Sequence, residues 1–352
     1  MHIFNSVLDP KVVVATSAIG AAGLAYGLRQ LQRDLGERTV VLLGTMSGFV
    51  FAAQMVNFPV VICSGHLLGG VLAATLLGPW GGAVVIATVL VVQCLLFGDG
   101  GLAALGANFL NMGLIGSALG YVLYATIRRA IGGPAGVVLG AMLAAWLSVL
   151  LAAVAFSAEL AASGRWADFV QVLTWMTLVH AVIGVGEAII TGLVLRFILS
   201  TRPDLLYNPD PRPALNQEAG SATGVASPRP AWWRIGAAGL AVSLAVGVIL
   251  APFASEAPDG LEYVGERLNF LPADDQPMHP VLIPDYDARS IIGVGSLRVA
   301  TAIAGAIGTL VVFGVGVLLG ASVGRVPKRR GVDELTGEPV KSVAGGAPTH
   351  AS

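Results

Sequence analysis

Residues 40–58 read VVLLGTMSGFVFAAQMVNF, and no Asp, Glu, Lys or Arg interrupts the chain from there until Asp99. A water-soluble fold has no place for so long an uncharged run, whereas a bilayer accepts it. The same poverty of charge extends outward. Of 352 residues, 55% are hydrophobic and 12% are charged, about half the charged share of a soluble domain. Glycine is abundant, at 46 residues, which suits helices that must approach closely within lipid. The formal net charge of −1 supplies no general field for nucleic acid. Cys63 and Cys94 both lie in apolar runs and form neither a disulfide framework nor a zinc-knuckle spacing. No positively charged segment precedes an apolar core at the start, so no cleavable signal peptide is expected and Met1 is read as the mature terminus.

These runs predict an all-α polytopic membrane protein with about nine transmembrane helices. The expected spans are 12–28, 39–58, 60–77, 81–97, 102–127, 134–157, 170–199, 235–253 and 299–323. The third and fourth are short and are parted only by Gly78-Pro79-Trp80. A re-entrant hairpin would serve there equally well. With this count, Arg29, Arg33, Arg38, Arg128, Arg129, Arg202, Arg212, Arg229, Arg234, Arg325, Lys328, Arg329 and Arg330 share one side. The positive-inside rule makes that side cytoplasmic and places the N-terminus outside.

Two blocks follow. Residues 1–199 form a seven-span unit, and residues 200–233, rich in Pro, Ala, Ser and Gly, form a flexible cytoplasmic linker. Residues 234–323 make a two-span hairpin around an outward loop, 255–296, which carries Glu256, Asp259, Glu262, Glu266, Asp274, Asp275, Asp285 and Asp287. Residues 324–352 read as a disordered cytoplasmic tail.

The chain opens Met1-His2. A free α-amine followed at once by His is a chelate: amine, His2 amide nitrogen and His2 imidazole close adjacent rings around one ion. Late first-row ions such as nickel(II) and copper(II) favour this nitrogen set in square-planar geometry. His66, within Ser64-Gly65-His66-Leu67-Leu68-Gly69-Gly70, falls on the same outer half, roughly 9 Å below the surface. An ionisable group at that depth marks function. Folding the N-terminal arm inward would make the His66 imidazole the fourth corner of the plane.

Together these motifs resemble the substrate-specificity component of cobalt/nickel energy-coupling-factor ABC transporters, the CbiM/NikM type. The resemblance rests on Met1-His2-Ile3, Leu8-Asp9-Pro10, the run Ala53 to Pro59, Ser64 to Gly70, Leu105-Gly106-Ala107-Asn108 with Asn111-Met112-Gly113, and His180-Ala181 with Gly184 to Ala188. Where the family reads Pro-Asp-Gly after the opening tripeptide, Phe4-Asn5-Ser6 stands here. Pro258-Asp259-Gly260-Leu261-Glu262 resembles the PDGLE domain, whose two-span plan is similar to the small auxiliary N subunit. The resemblance implies a nickel or cobalt site made by the Met1 amine, the His2 amide and imidazole, and the His66 imidazole. It implies a metal-capturing subunit in a prokaryotic plasma membrane, with a separate transmembrane coupling subunit and cytoplasmic ATPases as partners. The ion is transported substrate, and no organic cofactor is expected.

Other intramembrane polar residues have less specific roles. His180 and Glu187 are nearly two turns apart and face one way. They serve as a relay beneath the site or, the preferred alternative, pair with Asn108, Asn111 or Gln54 to lock helix packing. Cys63 is a soft axial ligand or, more in keeping with its apolar run, a packing residue. Asp274, Asp275, Met278 and His279 collect cations transiently or are simply solvated.

An enzyme is disfavoured. Lys11, Lys328 and Lys341 follow Pro, Pro and Val, so no Walker A motif exists, and no His-Glu-x-x-His appears. ATP hydrolysis is therefore expected in partner subunits. A secondary carrier or channel working without ATPases is the alternative, opposed by Glu187 standing nearly alone as an intramembrane acid. Amide coordination leans towards nickel without excluding cobalt.

Overall fold

The computed structural model describes residues 2–33, 36–207, 232–272, 277–293 and 295–324. Met1, most of the expected linker, Asp274, Asp275 and the tail from Arg325 lie outside the described residues. Helix α1 spans Pro10–Leu31. It starts where Asp9 accepts a hydrogen bond from the Lys11 N–H and Pro10 needs no partner for a donor it lacks. Helix α2, Glu37–Gln54, runs along the bundle next.

The expected third span, 60–77, is not a continuous helix. Strands β1 (Phe58–Val60) and β2 (Cys63–Gly65) pair antiparallel, residues 66–69 are irregular, and helix α3 (Gly70–Val92) begins only after Gly69, whose φ is 77°. Three β-branched residues, Val60 to Ile62, follow Pro59 and favour the extended chain. Gly65 and Gly69 then interrupt any helix that would carry His66. Within α3 the chain reverses at Gly78 (φ 78°, ψ 169°). A Cβ on Gly82 would sit 2.7 Å from the Ala74 nitrogen. Residues eight apart in a straight helix lie about 12 Å apart. The two arms of α3 are therefore antiparallel, and Pro79 opens the second.

A π-helical turn, Gln93–Phe97, ends that arm. Helix α4 (Leu105–Asn108) passes through a π-helical stretch, Phe109–Leu119, into α5 (Gly120–Ile131). Helices α6 (Gly133–Leu160) and α7 (Phe169–Thr201) fold back on each other around Gly164, at φ 99°. The Trp146 indole N–H donates to Ala181 O at 2.9 Å between them. The second block consists of α8 (Trp232–Ala245), α9 (Gly260–Arg267), α10 (Arg289–Ile292) and α11 (Leu297–Gly324).

Lipid offers no hydrophobic force between helices, so close packing must hold the blocks together. Helices α8 and α11 lie on α2 through small residues. A Cβ on Gly316 would fall 3.0 Å from the Gly44 Cα, and one on Gly236 2.7 Å from Val41. Among the described residues, six helical stretches are long and apolar enough to cross a membrane: Pro10–Leu31, Gly70–Phe97, Leu105–Ile131, Gly133–Thr201, Trp232–Phe253 and Leu297–Val323. The protein is an all-α polytopic membrane protein.

Its two ends differ chemically. At one, Arg38 donates to Leu205 O at 2.8 Å, Arg128 lies over the Tyr124 ring, and Tyr207 covers Gly78. At the other gather the N-terminal arm, the β1–β2 hairpin, residues 98–104 and α9. Fully buried Val71, Leu72, Leu76, Ile86 and Leu90 fill the interior between.

Candidate metal site

The arm is held by its backbone. Asn108, at the end of α4, accepts from Ile3 N–H at 2.7 Å and donates to Ile3 O at 3.0 Å, while Gly101 N–H donates to the same carbonyl at 2.8 Å. Asn5 accepts from Ala103 N–H at 3.2 Å. A Cβ on Gly101 would lie 2.4 Å from the Asn5 nitrogen, so glycine is needed there. The chain then turns at Ser6, which takes a left-handed φ of 63°. Phe4-Asn5-Ser6 thus packs the arm by side-chain and backbone bonds of its own.

This threading buries His2. Its ring stacks on that of His66, with centroids 5.3 Å apart and planes 21° apart. His2 Nε2 lies 3.2 Å from Gln93 Oε1, and Nδ1 lies 3.1 Å from Asp99 Oδ1. Burial lowers the His2 pKa below that of ordinary histidine, and Asp99 opposes the shift. His66 Nδ1 is 3.1 Å from Leu67 O, and its Nε2 is 3.9 Å from Asp259 Oδ2. The two imidazoles read from the sequence as ligands are therefore adjacent and buried. Met1, the third predicted member, lies outside the described residues. Among the described residues, no three His, Cys, Asp or Glu side chains form a metal-holding cluster.

His66 sits in the broken segment, and buried side chains hold that break. Glu187 accepts from the backbone N–H of Leu68 and of Gly69, the latter at 2.9 Å. Gln54 donates to Leu68 O at 3.0 Å. Asn108 holds the arm and pairs with neither His180 nor Glu187. Asn111 donates to Glu159 at 3.0 Å, so Glu187 is not the lone buried acid expected. His180 Nδ1 donates to Met176 O at 2.8 Å, and the ring lines a small cavity with His66, Ile183 and Asp259. Cys63 is buried in the same apolar cluster as Ile3, Val7 and Phe156.

The second block reaches the same place. Ser64 N–H donates to Pro258 O at 2.8 Å, and the Ser64 hydroxyl donates to Ala257 O at 2.7 Å. Asp259 caps α9 by accepting from Leu261 and Glu262 N–H, while Glu262 returns the bond to Asp259 N–H. Gly260 is in close contact; a Cβ there would lie 2.6 Å from Ile183 and 3.1 Å from His180. His279, read as a possible cation collector, lies 3.3 Å from Leu95 O, and Met278 is exposed. Sequence reasoning missed Asp99, Gln93 and Glu159. Asp99 alone had a visible signal: it ends the long uncharged run and is flanked by Gly98, Gly100 and Gly101.

Residues 2–205 match the family described as "Cobalt uptake substrate-specific transmembrane region" (CbiM), and residues 233–325 match the PDGLE domain. The putative fused nickel transport protein NikMN of Archaeoglobus fulgidus is 32% identical over 321 residues, which cover 91% of this chain and 98% of that protein. The fused nickel transport protein NikMN of Rhodobacter capsulatus is 32% identical over 222 residues, 58% of this chain and 64% of the other. A crystal structure of a truncated transition metal transporter superposes with a TM-score of 0.52 at 29% identity, covering 57% of this chain and 99% of that one. The chain belongs to the CbiM family of nickel and cobalt transport proteins, with a PDGLE domain in the same polypeptide.

Proposed function

We propose that the chain is the metal-capturing subunit of an ATP-driven importer for Ni²⁺, Co²⁺ or both. The carrying observation is the buried stacked pair His2–His66. In this assignment the Met1 amine, the His2 amide nitrogen, His2 Nδ1 and the His66 imidazole form the coordination plane. Only Nδ1 closes a chelate ring with the residue's own amide nitrogen. Such a nitrogen set suits nickel(II).

The rest of the assignment follows from the same features. The chain crosses a prokaryotic plasma membrane about nine times, with the arm outside and the Arg38 and Arg128 end in the cytoplasm. The first seven crossings capture the metal, and the linker joins them to the two-span domain. A transmembrane coupling subunit and a pair of ATPases supply the energy.

The test is chemical access to the N-terminus. Adding one residue before Met1, or acetylating it, is expected to abolish high-affinity nickel binding while the purified protein stays folded. His2→Ala and His66→Ala should behave alike. An uncleaved N-terminally tagged chain that binds nickel as tightly as the untagged one sinks the assignment. Nickel uptake by vesicles holding this chain alone, without ATPases, would instead make it a secondary carrier or channel.

A further inference from the structure

Residues 83–97 read AVVIATVLVVQCLLF, and Gln93 is the one amide side chain in that apolar run. It is fully buried. Its Oε1 lies 3.2 Å from His2 Nε2, whereas among the described residues nothing accepts from its own Nε2. A buried amide N–H without an acceptor is destabilising, and a methionine of similar length would fill the space without that cost. Packing therefore does not account for a glutamine here, and its oxygen does.

The backbone around Gln93 is fixed against the arm. Gln93 O accepts from the N–H of Gly98 and, at 3.2 Å, from that of Asp99. The chain leads directly into Gly100, where a Cβ would lie 3.5 Å from the His2 Cβ, and Gly101, whose N–H donates to Ile3 O at 2.8 Å. One short loop thus sets the depth of the His2 ring relative to Gln93.

His2 meets an oxygen at each ring nitrogen: Gln93 Oε1 at Nε2, and Asp99 Oδ1 at 3.1 Å from Nδ1. A neutral imidazole carries one N–H and can serve only one of them. Burial opposes the doubly protonated ring that would serve both. A divalent ion on Nδ1 satisfies both at once. The remaining ring proton must then sit on Nε2, facing Gln93 Oε1, and the Asp99 carboxylate faces a cation.

We infer that Gln93 is a positioning residue for the capture site: its Oε1 accepts from His2 Nε2–H and so turns the Nδ1 lone pair towards the metal. This rests on the capture-site assignment above. Gln93 holds the nitrogen that the metal does not use. Such partners fix the tautomer and orientation of a ligating imidazole, strengthen it as a donor, and are worth about 10- to 100-fold in metal affinity.

The experiment is equilibrium titration of the purified full chain with nickel(II), followed by the d–d absorption band. Gln93→Met keeps the length and removes the acceptor, and is expected to weaken binding about tenfold. Gln93→Glu restores an oxygen at the same reach and should recover most of that loss. Hydrogen exchange at the Gly101 amide reports whether the arm stays threaded. Weakened binding in Gln93→Met with that amide still protected, and rescue in Gln93→Glu, support the proposal. Wild-type affinity in Gln93→Met overturns it, as does a folded Gln93→Glu that binds no better than Gln93→Met. Loss of Gly101 protection together with affinity in Gln93→Met also overturns it, because a displaced arm would then account for the effect. Should Gln93→Glu fail to fold, Gln93→Met decides alone by these two readings. His2→Ala separates the two levels. If that variant binds nickel normally, the capture site itself is wrong; if it fails to bind while Gln93→Met is silent, only the positioning role falls.

Discussion

At the scale of single residues, proton competition is the sharpest consequence. Burial lowers the His2 pKa, so its neutral, ligating form persists further into acid than a free histidine's. The sign follows directly. Protons compete with metal for the His2 imidazole as pH falls through the depressed value, below the ordinary value of about 6.5. Stability runs the same way, since an unfolded His2 takes its proton first and acid favours the unfolded chain. Amide coordination adds a second proton to be displaced. Nickel affinity should therefore rise about tenfold per pH unit above neutrality, through the amide proton alone, and fall more steeply than that in acid. Calorimetry in buffers of different ionisation enthalpy should count more than one proton released. Zero release would exclude the amide nitrogen as a ligand. Both imidazoles were legible in the sequence, because a His at position 2 and a His deep in an apolar run are each chemically conspicuous. Asp99 was not, because its meaning lies in a contact with His2, far away along the chain.

At the scale of elements, the broken third span matters most. The loop before α3 leaves two buried N–H groups, on Leu68 and Gly69, that a continuous helix would have satisfied, and Glu187 satisfies both. Glu187→Ala should thus cost about 1–3 kcal/mol for each orphaned donor and displace His66. Nickel binding should fall with it. Glu187→Gln keeps one acceptor oxygen and should cost less on both counts. Thermal unfolding in detergent and nickel titration of the two variants check this; equal, small effects would mean the break is held by something else. The expected partners of Glu187 were the side chains of Gln54, Asn108 or Asn111, whereas its bonds run to the backbone of Leu68 and Gly69. Hydropathy located the apolar runs well. It could not show that 58–69 leaves the helical path, since a Val-Ile run fits a strand and a helix equally. The reversal at Gly78 was signalled by Gly78-Pro79-Trp80, where glycine takes a φ closed to other residues.

At the scale of the whole molecule, the second block grips the first in two places: its helices along α2, and its loop over the capture site. Removing residues 234–323 should slow uptake strongly in cells that supply the coupling subunit and ATPases. The loop's acids raise local cation concentration, and that contribution to rate should fade as ionic strength rises. Affinity of the isolated seven-span block should suffer far less. Uptake unchanged by the deletion, or tight one-to-one nickel binding by the hairpin alone, would refute this division of labour.

The cradle of the N-terminal arm also imposes an order of events. His2 meets Gln93, Ile3 meets Asn108, and Ser64 meets Pro258, at separations of 91, 105 and 194 positions. Contacts so distant in sequence form late, after the loops between them have closed. A ribosome adding about 5–20 residues per second needs roughly 13–50 s to travel from position 2 to position 258. Until Asn108 has been made the first residues have nowhere to sit, and until Pro258 has been made Ser64 lacks that partner. The earliest part of the chain to be synthesised is therefore among the last to be enclosed, and a newborn molecule does not close over its capture site until its final third exists.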